Sequence, residues 1–373
     1  MHIIKKLLIL LIIVASFVII YRLLKQNSEV KEQIEKQIAG LKIEGFAQID
    51  PAPQVGDPAP QVGDPATKEE VEILNNEASS LGRELTLKPV SEKYSNFPLR
   101  EFMIKSSFNS AIIDRTASTD AIDFVLKRGC RLIDFEIHTR NLTNAKETEF
   151  VSYSDDPKYE SIETGLTLTL EKALLFVAAN AFSGLSPLPN DPIFIQLRIK
   201  NNSKEIFNRT SKSITTIFGD RLYKKPVNGS TPIKEIMGKV VIILDAMSSR
   251  NYENEAKCFE NELNCIPYTE YVGLVSGTAD LPKYSYTDYY ELTSGPVMVS
   301  NTGRTDISRF MMITPPEIGG DKVSIPNINN LKRLPAQMML VPFYKQTEDL
   351  KKYEEIFNKC QSAFCPLGPF IRG

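Results

Sequence analysis

Arg131-Leu132-Ile133-Asp134-Phe135-Glu136-Ile137 is the stretch on which the fold turns: a short run of strand character carrying two carboxylates, preceded by a helical stretch over 120–127. The same alternation continues from Glu101 to the end of the chain. Further strands are predicted over 102–105, 150–153, 192–199, 240–244, 296–299, 310–313 and 338–341, and helices over 168–181, 203–218 and 348–358. Short β-branched runs alternating with helices are the pattern of a parallel sheet with crossover helices. Eight strands in about 270 residues suit a TIM-like (β/α)8 barrel, while a doubly wound sheet stays open because strand order cannot be read from sequence.

The chain has 373 residues, 42% of them hydrophobic and 24% charged, with 19 Gly and 23 Pro, which excludes a disordered or collagen-like protein. Lysine and arginine total 44 against 46 acidic residues, so nothing global favours nucleic acid, and no nucleic-acid partner is expected. His2 and His138 are the only histidines, which nearly excludes catalysis by a histidine pair. Cys130 lies in an apolar run and reads as a buried, inert thiol. Cys258 with Cys265, and Cys360 with Cys365, are close enough for local bridges but lack the spacing of a zinc or redox site. Sequons at Asn141, Asn201, Asn208 and Asn228 decide nothing in a chain this rich in Asn, Ser and Thr.

Residues 7–21 carry no charge and are flanked by Lys5, Lys6, Arg22 and Lys25, so residues 1–25 read as an uncleaved transmembrane signal anchor of a single-pass membrane protein. Basic residues on both flanks leave the side of the following domain undecided. A short juxtamembrane helix is expected within 26–49. The heptapeptide Asp-Pro-Ala-Pro-Gln-Val-Gly then occurs twice, so 50–66 is a Pro-rich linker reaching up to about 50 Å in polyproline II form. A helix and lead-in fill 67–96, opened by a capping box of Thr67 and Glu70, and the barrel takes 97–373.

Three strands with their flanks resemble the X region of phosphoinositide-specific phospholipase C: Ser106-Ser107-Phe108-Asn109, Gly129-Cys130-Arg131-Leu132-Ile133-Asp134-Phe135-Glu136, and Asp191-Pro192-Ile193-Phe194-Ile195-Gln196-Leu197. Ala336 to Tyr344 and Pro366 to Arg372 are similar to the closing segment of that family's Y region. The resemblance spans X-like 97–250 and Y-like 290–373, with no room for further membrane-targeting or EF-hand modules. It implies a PLC-like phosphodiesterase barrel with its site at the carboxy-terminal ends of the strands.

By the same resemblance two histidines share the proton transfers, and their positions fall here on Phe108 and, in the turn Thr164-Gly165-Leu166-Thr167, on Leu166. No catalytic residue is therefore assigned. Asn109, Asp134 and Glu136 match three calcium ligands of the family, but the fourth position holds Arg198, which repels a cation and pairs with carboxylates. No cofactor is expected, and calcium only if Arg198 lies outside the site. The alternatives for Arg198 are a salt bridge with Asp134 or Glu136, or a charge replacing the metal's that stabilises a bound phosphate. The family's two phosphate-gripping lysines fall on Ile243 and Asp245, and Asp245 at a strand end is either a catalytic carboxylate or a structural hydrogen-bonder. Lys200, Arg304 and Arg309 are further cations near the expected mouth, and Tyr284, Tyr286, Tyr289 and Tyr290 form a cluster read as loop packing or a membrane rim.

Asn109, Asp134, Glu136, Arg198 and Asp245 are thus the candidate ligand-binding residues. The expected protein is a membrane-anchored, PLC-like pseudoenzyme that binds a phosphoinositide head group or a protein. The alternatives are a divergent phosphodiesterase and a structural membrane or envelope protein, the last an arrangement similar to membrane proteins of large DNA viruses.

Overall fold

Among the described residues eight parallel strands form the wall: β1 Phe102–Phe108, β2 Leu132–Arg140, β3 Ile193–Ile199, β4 Val240–Asp245, β5 Val272–Ser276, β6 Lys283–Ser285, β7 Met312–Thr314 and β8 Met338–Pro342. This computed structural model describes residues 87–113, 116–140, 148–154, 168–183, 186–200, 203–249, 251–258, 265–294, 309–316, 324–344 and 347–372. The strands hydrogen-bond in the order β6-β7-β8-β1-β2-β3-β4-β5, so sequence order is barrel order and only β5 and β6 share no ladder. The result is a nearly closed α/β barrel. Every residue of β1, β3 and β4 is buried, as a parallel sheet covered on both faces requires.

The helices of six or more residues that follow strands or hairpins of the wall are α1 Thr119–Lys127, α2 Leu170–Asn180, α3 Lys204–Phe218, α4 Tyr286–Ser294, α5 Ile328–Arg333 and α6 Glu348–Cys360, and a single turn Tyr252–Glu255 lies between β4 and β5. Local chemistry starts most of them. Ser118, Thr169, Ser203, Asn327 and Thr347 each accept a hydrogen bond from a first-turn N–H through the side chain. After α1 the chain turns at Gly129, whose φ of 78° suits glycine and whose missing Cβ leaves room for Leu87. Among the described residues no helix is long and apolar enough to cross a membrane. The anchor, juxtamembrane helix and linker predicted over 1–66, and the helix expected from Thr67, lie outside the described residues.

One end of the barrel is stopped by the strand Phe364–Pro366, which runs antiparallel to the start of β1 and sets the Phe364 ring edge-on to Phe102. Leu87 is buried and Val90 donates its N–H to Asp191 at 3.0 Å, so packing against the barrel begins ahead of residue 97. Cys258–Cys265 and Cys360–Cys365 are disulfide-bonded, and Cys130 is a buried free thiol whose pKa burial pushes up to about 12.

Two of the eight strands differ from the sequence expectation. Residues 150–153 fall largely in the strand Thr148–Ser152, which pairs antiparallel to β2 as a side hairpin rather than joining the barrel wall. The predicted strand over 296–299 lies outside the described residues, while β5 and β6 are five and three residues long with no continuous apolar run. Gly273 within β5 answers to the wall beside it, because a Cβ there would stand 2.8 Å from Val241. The tyrosine cluster packs: Tyr286 and Tyr289 are buried, with their hydroxyls donated to the carbonyls of Leu340 and Leu334.

Candidate functional site at the strand ends

Register places the charged residues together. Glu136 of β2 lies opposite Arg198 of β3, and Asp134 opposite Gln196. Residues two apart on a strand share a face, so both carboxylates point toward the one guanidinium. Arg198 donates from Nε to Asp134 at 2.9 Å, from Nη2 to Asp134 at 2.9 Å, and from Nη1 to Glu136 at 2.5 Å. Its Nη2 also reaches the side-chain oxygen of Asn109 at 2.5 Å. Arg198 and Asp134 are fully buried, and Glu136 is nearly so.

Asn109 follows β1 with φ 46°, the left-handed conformation that asparagine tolerates better than most side chains. Its N–H donates to Asp134 at 3.0 Å, while Asp134 accepts no fewer than three bonds in all. Phe108 lies across the guanidinium, its ring centroid 4.5 Å from the Arg198 carbon, and is itself buried. On the other side Glu136 accepts from the Ser154 N–H at 2.9 Å and meets His138 Nε2 at 2.8 Å. Burial opposes ionisation of Glu136, but the Arg198 charge, the His138 hydrogen bond and Lys200 outweigh it and hold the carboxyl below the usual range.

Asp245 belongs to an adjoining network. It accepts from Ser248 at 2.7 Å, from Ser276 at 3.1 Å and from Lys283 at 2.9 Å. Lys200, half-buried, donates to Ser248 at 3.2 Å and so stands between the two groups of carboxylates. Arg309 precedes β7 and therefore stands at the opposite end of the strand from the mouth, where its carbonyl accepts from Gln337. Leu166 and Arg304 lie outside the described residues. Lys283, Ser276 and Ser248 are site residues that sequence reading missed. Lys283 and Ser276 sit on the two strands whose pattern carries no signal.

The cluster of Asn109, Asp134 and Glu136 does not suit a calcium ion. Calcium requires six to eight oxygens at about 2.3–2.6 Å, whereas these oxygens converge on guanidinium nitrogens. The same saturation leaves the guanidinium poorly placed to take a phosphate.

Residues 95–244 match the family model described as phosphatidylinositol-specific phospholipase C, X domain. Among solved structures the chain is similar to L. pealei PLC21, at 13% identity and a TM-score of 0.55, and to S. officinalis PLC21, at 15% and 0.55. In both cases 75% of this chain and 38% of the other is covered, so the chain spans about two-fifths of the length of those relatives. A calcium-dependent phosphoinositol-specific phospholipase C from Pseudomonas sp. aligns at 14% identity over 69% of this chain and 95% of its own, with a TM-score of 0.42. No curated protein matches the chain. Residues 95–244 of the chain thus match a phosphatidylinositol-specific phospholipase C X domain, and the barrel that carries them is similar in fold to solved phospholipases C.

Proposed function

We propose that this is a membrane-tethered, catalytically silent phospholipase C-like protein that acts by binding a protein partner. The observation that carries the reading is Arg198: fully buried, bonded to Asn109, Asp134 and Glu136, and covered by Phe108. Attack of an inositol hydroxyl on phosphorus needs a group to take that proton and another to protonate the leaving oxygen. Phenylalanine at 108 and leucine at 166 supply neither. His138 is buried and spends a ring nitrogen on Glu136. A metal-dependent route lacks its ligands, because the arginine occupies the centre of the oxygen cluster.

The same geometry counts against a phosphorylated head group at this mouth, which leaves a protein partner as the reading of its binding role. A phosphate would have to displace two buried carboxylates from Arg198, leaving them uncompensated at a cost of roughly 3–5 kcal/mol. The uncharged stretch 7–21 and the repeated Pro-rich linker support a barrel held away from the membrane that anchors it.

The test is turnover by the full-length protein on phosphatidylinositol and its phosphorylated forms, with calcium and with chelator. No product is expected in either condition. Turnover that disappears in Arg198→Ala would overturn the proposal and establish a metal-independent phosphodiesterase.

A further inference from the structure

A second concavity lies at the other end of the barrel, beside the strand Phe364–Pro366 that pairs with the start of β1. It has a volume of about 570 Å³, within the range of small-molecule sites. Its floor is apolar, with Ile328, Ile356, Phe364 and Phe370 among its lining residues. Its rim carries Lys88, Lys93, Lys332 and Lys359, and no Asp or Glu occurs among the described lining residues. In a chain whose formal charge is −2, that grouping of four cations is a local departure.

The lysines are not consumed by carboxylates inside the cleft. Lys88 donates to the neutral side chain of Gln361 at 3.1 Å, and Lys93 lies 4.5 Å from the centroid of the Tyr94 ring. Lys359 makes a loose surface pair with Glu355 at 3.8 Å, worth little in water. Lys332 is half-buried at the end of α5 and makes no ion pair among the described residues. An apolar floor beneath a cationic rim matches a molecule with an alkyl chain and an anionic head, since neither a purely apolar nor a purely ionic ligand uses both surfaces.

The geometry points to this cleft as a binding site for an amphiphilic anion, a phosphate or carboxylate carried on an alkyl chain. The chain lies on Phe364 and Phe370 and the head pairs with the rim lysines. The site is independent of the strand-end mouth, since no residue of the Arg198 cluster lines it.

The protein contains no tryptophan, so Phe370→Trp gives a single reporter in the cleft. The full chain in a non-ionic amphipol is titrated with octyl phosphate, decanoate, decanol and inorganic phosphate, the two anionic amphiphiles below their micelle concentrations and decanol below its solubility limit, with isothermal calorimetry on the wild type in parallel. The expected result is a saturable blue shift and measurable heat with one or both anions, at least tenfold weaker binding of decanol, and at least tenfold weaker anion binding in Lys93→Gln/Lys332→Gln. Comparing octyl phosphate with decanoate shows which head group is preferred. The proposal is overturned by the absence of both signals, by equal binding of decanol, by affinity unchanged in the double variant, or by inorganic phosphate binding as well as octyl phosphate.

Discussion

Arg198 stands at the centre of the oxygens of Asn109, Asp134 and Glu136, so the chemistry of one side chain sets the charge of the mouth. Converting it to a carboxylate tests that directly. Arg198→Glu leaves Asp134, Glu136 and the new carboxylate facing one another without a cation, and stability in chelator should fall by roughly 3–5 kcal/mol. Calcium at a hundredfold excess over its dissociation constant should then return about 2.7 kcal/mol, raising the melting temperature of the variant. The wild type should melt at the same temperature with calcium or chelator. A calcium-dependent shift in the wild type would contradict the geometry of the cluster. The pairing of Arg198 with Asp134 and Glu136 was open to sequence reading because all three lie on runs of strong strand character in adjacent register. The pairing of Asp245 with Lys283 was not, because it joins positions 38 apart in the chain through a strand with no apolar run.

At the scale of elements, α6 is fastened to the barrel by charge as well as by packing. Glu354 pairs with Lys105 of β1 at 2.8 Å and with Arg128, just past α1, at 3.0 and 2.5 Å. Lys105 is fully buried and also donates to the Arg128 carbonyl at 2.6 Å. Burial works against the Glu354 carboxylate, but the two cations prevail and keep its pKa below the ordinary 4.5. With the folded value depressed, this contribution is fully present above the unfolded pKa and is lost as pH falls through the folded one. Glu354→Gln should therefore cost roughly 3–5 kcal/mol at pH 7 by leaving Lys105 without its counter-charge. It should also flatten the loss of stability below pH 4.5. Urea denaturation across that pH range reads both effects, and a variant as acid-sensitive as the wild type would refute the assignment. The strands β3, β4 and β8 were legible as largely apolar runs because both their faces are covered, and β1 and β2 by the apolar residues at their starts. The weak strands β5 and β6 owe their place to neighbours: Gly273 to the closeness of Val241, and Lys283 to Asp245.

The whole barrel has one seam, between β5 and β6, where no backbone ladder runs. Side chains bridge it instead, for Asp245 of β4 holds both Ser276 of β5 and Lys283 of β6. Lys283→Met should raise amide exchange in 272–276 and 283–285 well above that of β1 to β3, as measured by hydrogen–deuterium exchange. Asp245→Asn/Lys283→Met, which removes the buried charge with its partner, should exchange less than the single variant. Uniform protection around the ring in Lys283→Met would show that the bridge is dispensable.

The stacking of Phe108 on Arg198 has a consequence for descent. With histidine at 108 alone, an imidazole would lie against a fixed guanidinium and find its charged form disfavoured. With glutamate at 198 alone, the acids would repel until a metal arrived. Neither substitution is neutral by itself, so positions 108 and 198 are coupled: each can change without penalty only when the other changes with it.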